Sequence, residues 1–226
     1  MVRANSVSVD IVPESARSTP SVTDTIGPHD YGVRMSKAAF RSFEEATADD
    51  WQIIKGELPV TQALAAANII DQLAMLARDD GGFPVNRLEH SLQTATRAIE
   101  DGRDEEYVLC ALLHDVGDTL APFNHPDIAA GILKPFVSEA NHWMVAHHGI
   151  FQGYYFWHYI GMDRNAREPF RGSPYFEYTE EFCAKYDQTA FDPDYVSAPL
   201  ETFVPLIEKF FVPQTPEATA AYTAVR

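Results

Sequence analysis

The chain has 226 residues, room for one domain with a sizeable core and an appended tail. Its formal net charge of −16, from 17 basic and 33 acidic side chains, argues against nucleic acid or an anionic membrane surface as partner, because both demand a basic face; a small anionic substrate needs only a few local cations. Two cysteines without Cys-rich neighbours exclude zinc-finger and disulfide frameworks, no apolar run nears the roughly 20 residues of a membrane span, and the N-terminus lacks a secretory pattern, so a cytoplasmic protein with two buried free thiols, Cys110 and Cys183, is expected.

Residues 1–30 are rich in Ser, Thr, Pro and Val without helical period and are expected to form a flexible tail, with an ordered stretch at Tyr31-Gly32-Val33. A helical bundle is expected over 31–212, followed by a short C-terminal tail over 213–226. Ser36 is a candidate cap for a helix carrying Ala39, Phe40 and Phe43. Thr61–Arg78 is amphipathic, with Leu64, Ala67, Leu73 and Leu76 near helical spacing and Gly81-Gly82 as stop. Asn86–Asp101 follows, with Leu88, Leu92, Ala95 and Ile99 on one stripe and Gly102 as stop. Asp104 caps a third segment to His114, whose run Tyr107–Leu113 is apolar enough to be central. Asn124 and Pro126 read as cap and first turn of a fourth, and Ser138 caps a fifth that Gly149 ends after His148. A sixth spans Tyr175–Asp187, and Pro199 opens a seventh that Pro205 interrupts or kinks. No segment alternates with period two and no repeat is visible, so the fold class expected is all-α.

The chemistry concentrates on Leu112-Leu113-His114-Asp115, where a His-Asp pair ends the central apolar run. His90 lies one helix earlier; His125, the pair His147-His148 and Asp187 follow. Imidazole and carboxylate are the donors that borderline-hard transition metals prefer, and two carboxylates among four imidazoles suit two ions better than one. Adjacent residues make an economical bridge, with His114 on one ion and Asp115 spanning both. Ligands spread over several helices and meeting in a bundle core is a common way to build a helical dimetal site. Of His147 and His148, one is expected to bind metal and the other to support it or meet substrate.

The order His90…His114-Asp115…Asp187 resembles the HD-domain superfamily of metal-dependent proteins, over about residues 60–210. Most members are phosphohydrolases; a smaller branch, with myo-inositol oxygenase and the phosphonate-cleaving HD oxygenases, uses a mixed-valent di-iron centre and dioxygen. Leu88-Glu89-His90-Ser91-Leu92-Gln93-Thr94-Ala95 is similar to that branch's histidine helix, and Asn124-His125-Pro126 with Met144-Val145-Ala146-His147-His148 is similar to its two further histidine motifs. The resemblance implies an HD-domain bundle in which His90, His114 and Asp187 hold one iron, His125 and His148 hold the other, and Asp115 bridges as the central catalytic group. It implies a small hydroxylated substrate, an amino alcohol, polyol or hydroxyphosphonate, that is oxidised or cleaved with O2.

The chain departs from the family where substrate would sit. His114-Asp115-Val116-Gly117-Asp118 carries a carboxylate where many members have lysine, and Gln152-Gly153-Tyr154 replaces basic residues after His148. Asp118, Gln152, Lys185 and His147 are the candidate substrate contacts. An unpaired Asp118 would favour a hydroxyl or ammonium group, leaving any anionic end to Lys185. The rival class is an HD phosphohydrolase using Mn or Mg on a nucleotide or small phosphate ester, which the scarcity of Lys and Arg around the motifs disfavours. A catalytically idle helical sensor is the third class, opposed by retention of every expected ligand. The partners expected are O2 and a small molecule, with a homodimer allowed.

Overall fold

The computed structural model describes residues 37–78 and 80–211. The expected tails, the Tyr31-Gly32-Val33 stretch and the Ser36 cap lie outside them. Among the described residues all regular structure is helical and no strand occurs, so the fold is all-α. No described helix is long and apolar enough to cross a membrane.

Helix α1 runs Ala48–Met75 and starts earlier than Thr61. Thr47 and Asp50 explain this: Thr47 accepts from the Asp50 amide while the Asp50 carboxylate accepts from the Thr47 amide at 2.9 Å, a reciprocal capping box. The helix expected around Ala39, Phe40 and Phe43 is not there. Residues 41–45 form turns instead, and the Phe40, Phe43 and Trp51 rings gather beside the start of α1, their centroids 5.6–6.3 Å apart.

Helix α2 spans Arg87–Glu100, with the Asn86 side chain accepting from the Glu89 amide at 2.8 Å. It ends in a Schellman motif: Gly102, at φ +73°, donates to Ile99 O, and Arg103 donates to Ala98 O. Ile99 does not join the buried stripe; it is exposed, and Ala98 takes the inward position. Helix α3 spans Glu105–Leu113 behind the Asp104 cap, and every side chain from Tyr107 to Val116 is buried, so this is the central helix expected. Both cysteines are free and buried.

Helix α4 spans His125–Leu133 with Pro126 in its first turn, though the Asn124 side chain makes no capping bond. Helix α5 spans Glu139–Phe156 and does not stop at Gly149. Its glycines serve close packing, not termination: a Cβ on Gly149 would meet Pro126 of α4 at 3.2 Å, and one on Gly153 would strike the Trp157 indole at 2.4 Å. Helix α6, Phe176–Phe182, widens into a π turn over Cys183–Asp187. Helix α7, Val204–Phe211, carries Pro205 in its first turn, where the missing N–H costs nothing, so the proline starts the helix and no kink is needed.

Helix α3 packs against α2, α5 and α7, while α4 lies along α5 and α1 against α7. Leu109, Leu112, Leu113, Met144, Phe151, Phe182 and Phe203 fill the space between them.

Gly117 couples the central helix to α4. A Cβ there would lie 2.7 Å from Ile128 Cβ and 2.9 Å from the His125 carbonyl oxygen. Gly117→Ala is therefore expected to destabilise the fold by about 1–3 kcal/mol through overpacking. Equilibrium urea denaturation checks this, and an unchanged midpoint would show that α4 shifts without cost.

Candidate metal centre

Each of the four histidines that converge is fixed by its own backbone neighbourhood. His90, on α2, places Nδ1 3.0 Å from the Ala190 carbonyl; His114, capping α3, places it 2.8 Å from Ala111 O. His125, at the start of α4, reaches Pro122 O at 2.9 Å, and His148, within α5, reaches Val145 O at 2.7 Å. A carbonyl only accepts, so each Nδ1 carries the hydrogen and each neutral ring presents a bare Nε2 lone pair. His90 Nε2 and His114 Nε2 lie 3.1 Å apart, and His125 Nε2 and His148 Nε2 lie 3.2 Å apart. Two lone pairs facing at that distance repel unless a cation, a proton or a metal, lies among them.

The carboxylates complete the arrangement. Asp115 Oδ1 is 3.1 Å from both His125 Nε2 and His148 Nε2. Its Oδ2 is 3.5 Å from His90 Nε2 and 3.6 Å from His114 Nε2. Asp187 Oδ1 lies 3.3 Å from His90 Nε2 and 3.7 Å from His114 Nε2, while its Oδ2 is buried without a hydrogen-bond partner. Donor atoms of His90, His114 and Asp115 fall within 4.8 Å of one another, as do those of Asp115, His125 and His148, and those of His114, His148 and Asp187. All of these side chains except His125 are buried.

Burial and charge pull against each other here. Burial opposes charging of His114, but Asp115 and then Asp187 outweigh it and push the imidazole up to about 9. Burial alone would raise Asp115 and Asp187; the imidazoles around them hold both below the usual carboxylate range. His125 is likewise raised against burial by Asp115, whereas burial wins at His148 and lowers it. A buried cluster that recruits positive charge this strongly, with imidazole lone pairs aimed at one another, could hold a metal ion.

The structure thus gathers His90, His114, Asp115, His125, His148 and Asp187. Gln152, one turn beyond His148, joins them by donating Nε2 to Asp187 Oδ1 at 2.9 Å. Asp118 is also adjacent, its Oδ1 3.6 Å from His125 Nδ1. Two expected contacts are elsewhere. The His147 ring stacks on Trp143 at 3.9 Å and donates to the Trp143 carbonyl, because the next residue along a helix turns about 100° away. Lys185 is half exposed and pairs with Glu181 at 2.8 Å, with Asp101 at 3.8 Å, on the outer side of the π turn.

Sequence reasoning missed Arg87. Its Nε lies 3.0 Å from Asp118 Oδ2 and its Nη1 3.9 Å from Asp115 Oδ2. Asp118 is therefore not an unpaired carboxylate, and the surroundings of the His-Asp motif do not lack a cation. The signal was present: Arg87 precedes His90 by three residues, one turn on the same face. Phe191 was missed too; it stacks on the His90 ring at 4.3 Å, with Phe83 stacked on it at 5.2 Å and Arg87 over Phe83 at 4.2 Å. Nothing in local periodicity announces a loop ring arriving a hundred residues downstream.

Comparison with known proteins agrees with this geometry. The HD domain family model matches residues 87–190. The chain is also similar to the [1-hydroxy-2-(trimethylamino)ethyl]phosphonate dioxygenase (glycine-betaine-forming) of Leisingera caerulea, at 36% identity over 66 residues, covering 24% of this chain and 34% of that protein. The match thus spans about a third of the relative's length. With its His-Asp step at the centre of a buried His and Asp cluster, the stretch from residue 87 to residue 190 is an HD domain.

Proposed function

We propose that this chain is an O2-dependent, mixed-valent di-iron oxygenase that oxidises or cleaves a small hydroxylated molecule. The observation that carries the reading is the division of the cluster about Asp115: one carboxylate oxygen faces the His90 and His114 pair, the other faces His125 and His148. His90, His114 and Asp187 would hold one iron, His125 and His148 the other, with Asp115 shared. Four imidazoles against two carboxylates suit iron better than magnesium, which prefers oxygen donors. The similarity to a dioxygenase whose named substrate is a hydroxylated phosphonate supports the oxygenase branch over the phosphohydrolases. When bound, such a pair supplies dioxygen activation and Lewis acidity toward a substrate hydroxyl.

The chain's own residues do the positioning. The four Nδ1 bonds to carbonyls fix ring orientation, and Gln152 holds Asp187 by its Oδ1. Phe191 over His90 and Phe182 edge-on to His114, at 5.5 Å, screen the cluster from water on that side. Arg87 holds Asp118 beside His125, where a hydroxyl or amine of the substrate would meet a paired, not a bare, carboxylate.

Anaerobic purification with metal analysis and electron paramagnetic resonance tests the proposal. The expected result is two irons per chain, a mixed-valent signal perturbed by hydroxylated amines, polyols or hydroxyphosphonates, and O2 consumption with one of them. Mn or Mg in the site, with phosphate-ester hydrolysis and no O2 uptake, would select the phosphohydrolase instead.

Asp115→Ala is expected to lose both metals and all turnover, because it removes the shared carboxylate and leaves two cations to repel; a variant that purified with full iron and normal rate would remove Asp115 from the bridge. His148→Ala is expected to lose metal and activity, whereas His147→Ala keeps the metal, since its ring stacks on Trp143; metal analysis of the pair decides this. Chelation should lower the melting temperature. Metal held at a hundredfold excess over its Kd stabilises by about 2.7 kcal/mol, or roughly 5–10 °C in a chain of this size, and a differential scan with and without chelator reads the change directly.

A further inference from the structure

Arg164 and Arg167, in the segment between α5 and α6, carry a charge arrangement that the metal centre does not use. Arg167 is buried, 5% exposed, yet its Nε and Nη1 have no hydrogen-bond partner. Only its Nη2 is engaged, with Glu180 Oε1 at 2.9 Å, and that glutamate side chain is itself 38% exposed. Arg164 Nε is buried without a partner as well, and no ion pair reaches Arg164 among the described residues. Both guanidinium groups sit against one ring: Arg167 is 3.8 Å and Arg164 4.2 Å from the Tyr154 centroid. Buried N–H donors without acceptors are costly, and two like charges sharing one ring repel. In a chain of net charge −16, two cations with a single half-exposed carboxylate between them stand apart.

The arrangement adjoins α5 through Tyr154 and α6 through Glu180. Tyr154 is six residues beyond His148, about 9 Å of helical rise, and about 200° round α5 from Gln152. Gln152 Oε1, Thr179 Oγ1 and Asp187 Oδ2 are also buried without partners on these elements.

We propose that Arg164 and Arg167 bind a small oxyanion, a phosphonate, phosphate or carboxylate. Guanidinium forks match tetrahedral and planar oxyanions through paired N–H donors, and the three orphaned donors supply them. Tyr154 sets the spacing of the two cations by stacking. Lys185, committed to Glu181 and Asp101, is not available for this role.

Titration calorimetry on the metal-loaded full chain tests the site with three probes in separate arms: methylphosphonate, inorganic phosphate and acetate. One of them is expected to bind, and Arg167→Gln is expected to weaken it at least tenfold with metal content unchanged. Arg164→Gln, at a more exposed position, should weaken it several-fold and carries the test if Arg167→Gln does not fold. Arg167→Lys should recover part of the affinity. Binding that follows the metal content and ignores both arginines would put the anion on the metals and overturn the inference, as would no binding in any arm. Arginine-dependent binding in a protein that takes up no iron would leave the oxyanion site standing and remove the oxygenase reading.

Discussion

The meeting of four imidazole Nε2 atoms on the Asp115 carboxylate is the constraint that the rest of the domain serves. Such a cluster is unfavourable by itself: it strips carboxylates of water and points lone pairs at one another. The fold meets that cost by committing every Nδ1 to a backbone carbonyl, so that no ring can turn away. Rigid donors are what a metal site needs, because each ångström of looseness is lost affinity. The close packing at Gly117 and Gly149 serves the same end, bringing the start of α4 against the turn after Asp115 and against α5. The π turn does so from the other side. By widening the last turn after α6 it sets Asp187 inward while Lys185 points out.

The helices and the cluster were readable in the sequence because their signals are local. Asn86, Asp104 and Ser138 each cap a helix by the side-chain bond their residue type predicts, and the apolar run Tyr107–Leu113 is buried throughout. The cluster was readable for a different reason: histidine and aspartate are costly inside a core, so a set of them on otherwise apolar helices asks for a common explanation. What failed were inferences from single residues. Gly149 looked like a stop because glycine often ends helices, but here it makes room for Pro126. Pro205 looked like a break, yet it sits in a first turn. The helix expected over Ala39, Phe40 and Phe43 gives way to turns, and α1 starts instead at Thr47, whose acidic partner Asp50 closes the capping box.

Tertiary pairings were not readable, and they change the electrostatics. Asp118 alone suggests a site hostile to anions. With Arg87 at 3.0 Å it becomes half of an ion pair whose other half also approaches Asp115, so the net charge at that edge is close to neutral. The Arg164 and Arg167 pair shows the converse. In sequence they are two cations in a loop; in space they share a ring, and three of their buried N–H groups lack acceptors.

Taken with the proposed metals, the Arg87 and Asp118 ion pair bears on the charge of the site. Two carboxylates offset less than half of the formal charge of a mixed-valent iron pair, so the centre retains positive charge in a buried setting, where Coulomb interactions are stronger than in water. A hydroxyl presented there is favoured to give up its proton. The Arg87 and Asp118 pair beside His125 is near neutral and leaves that positive charge largely unopposed at this edge.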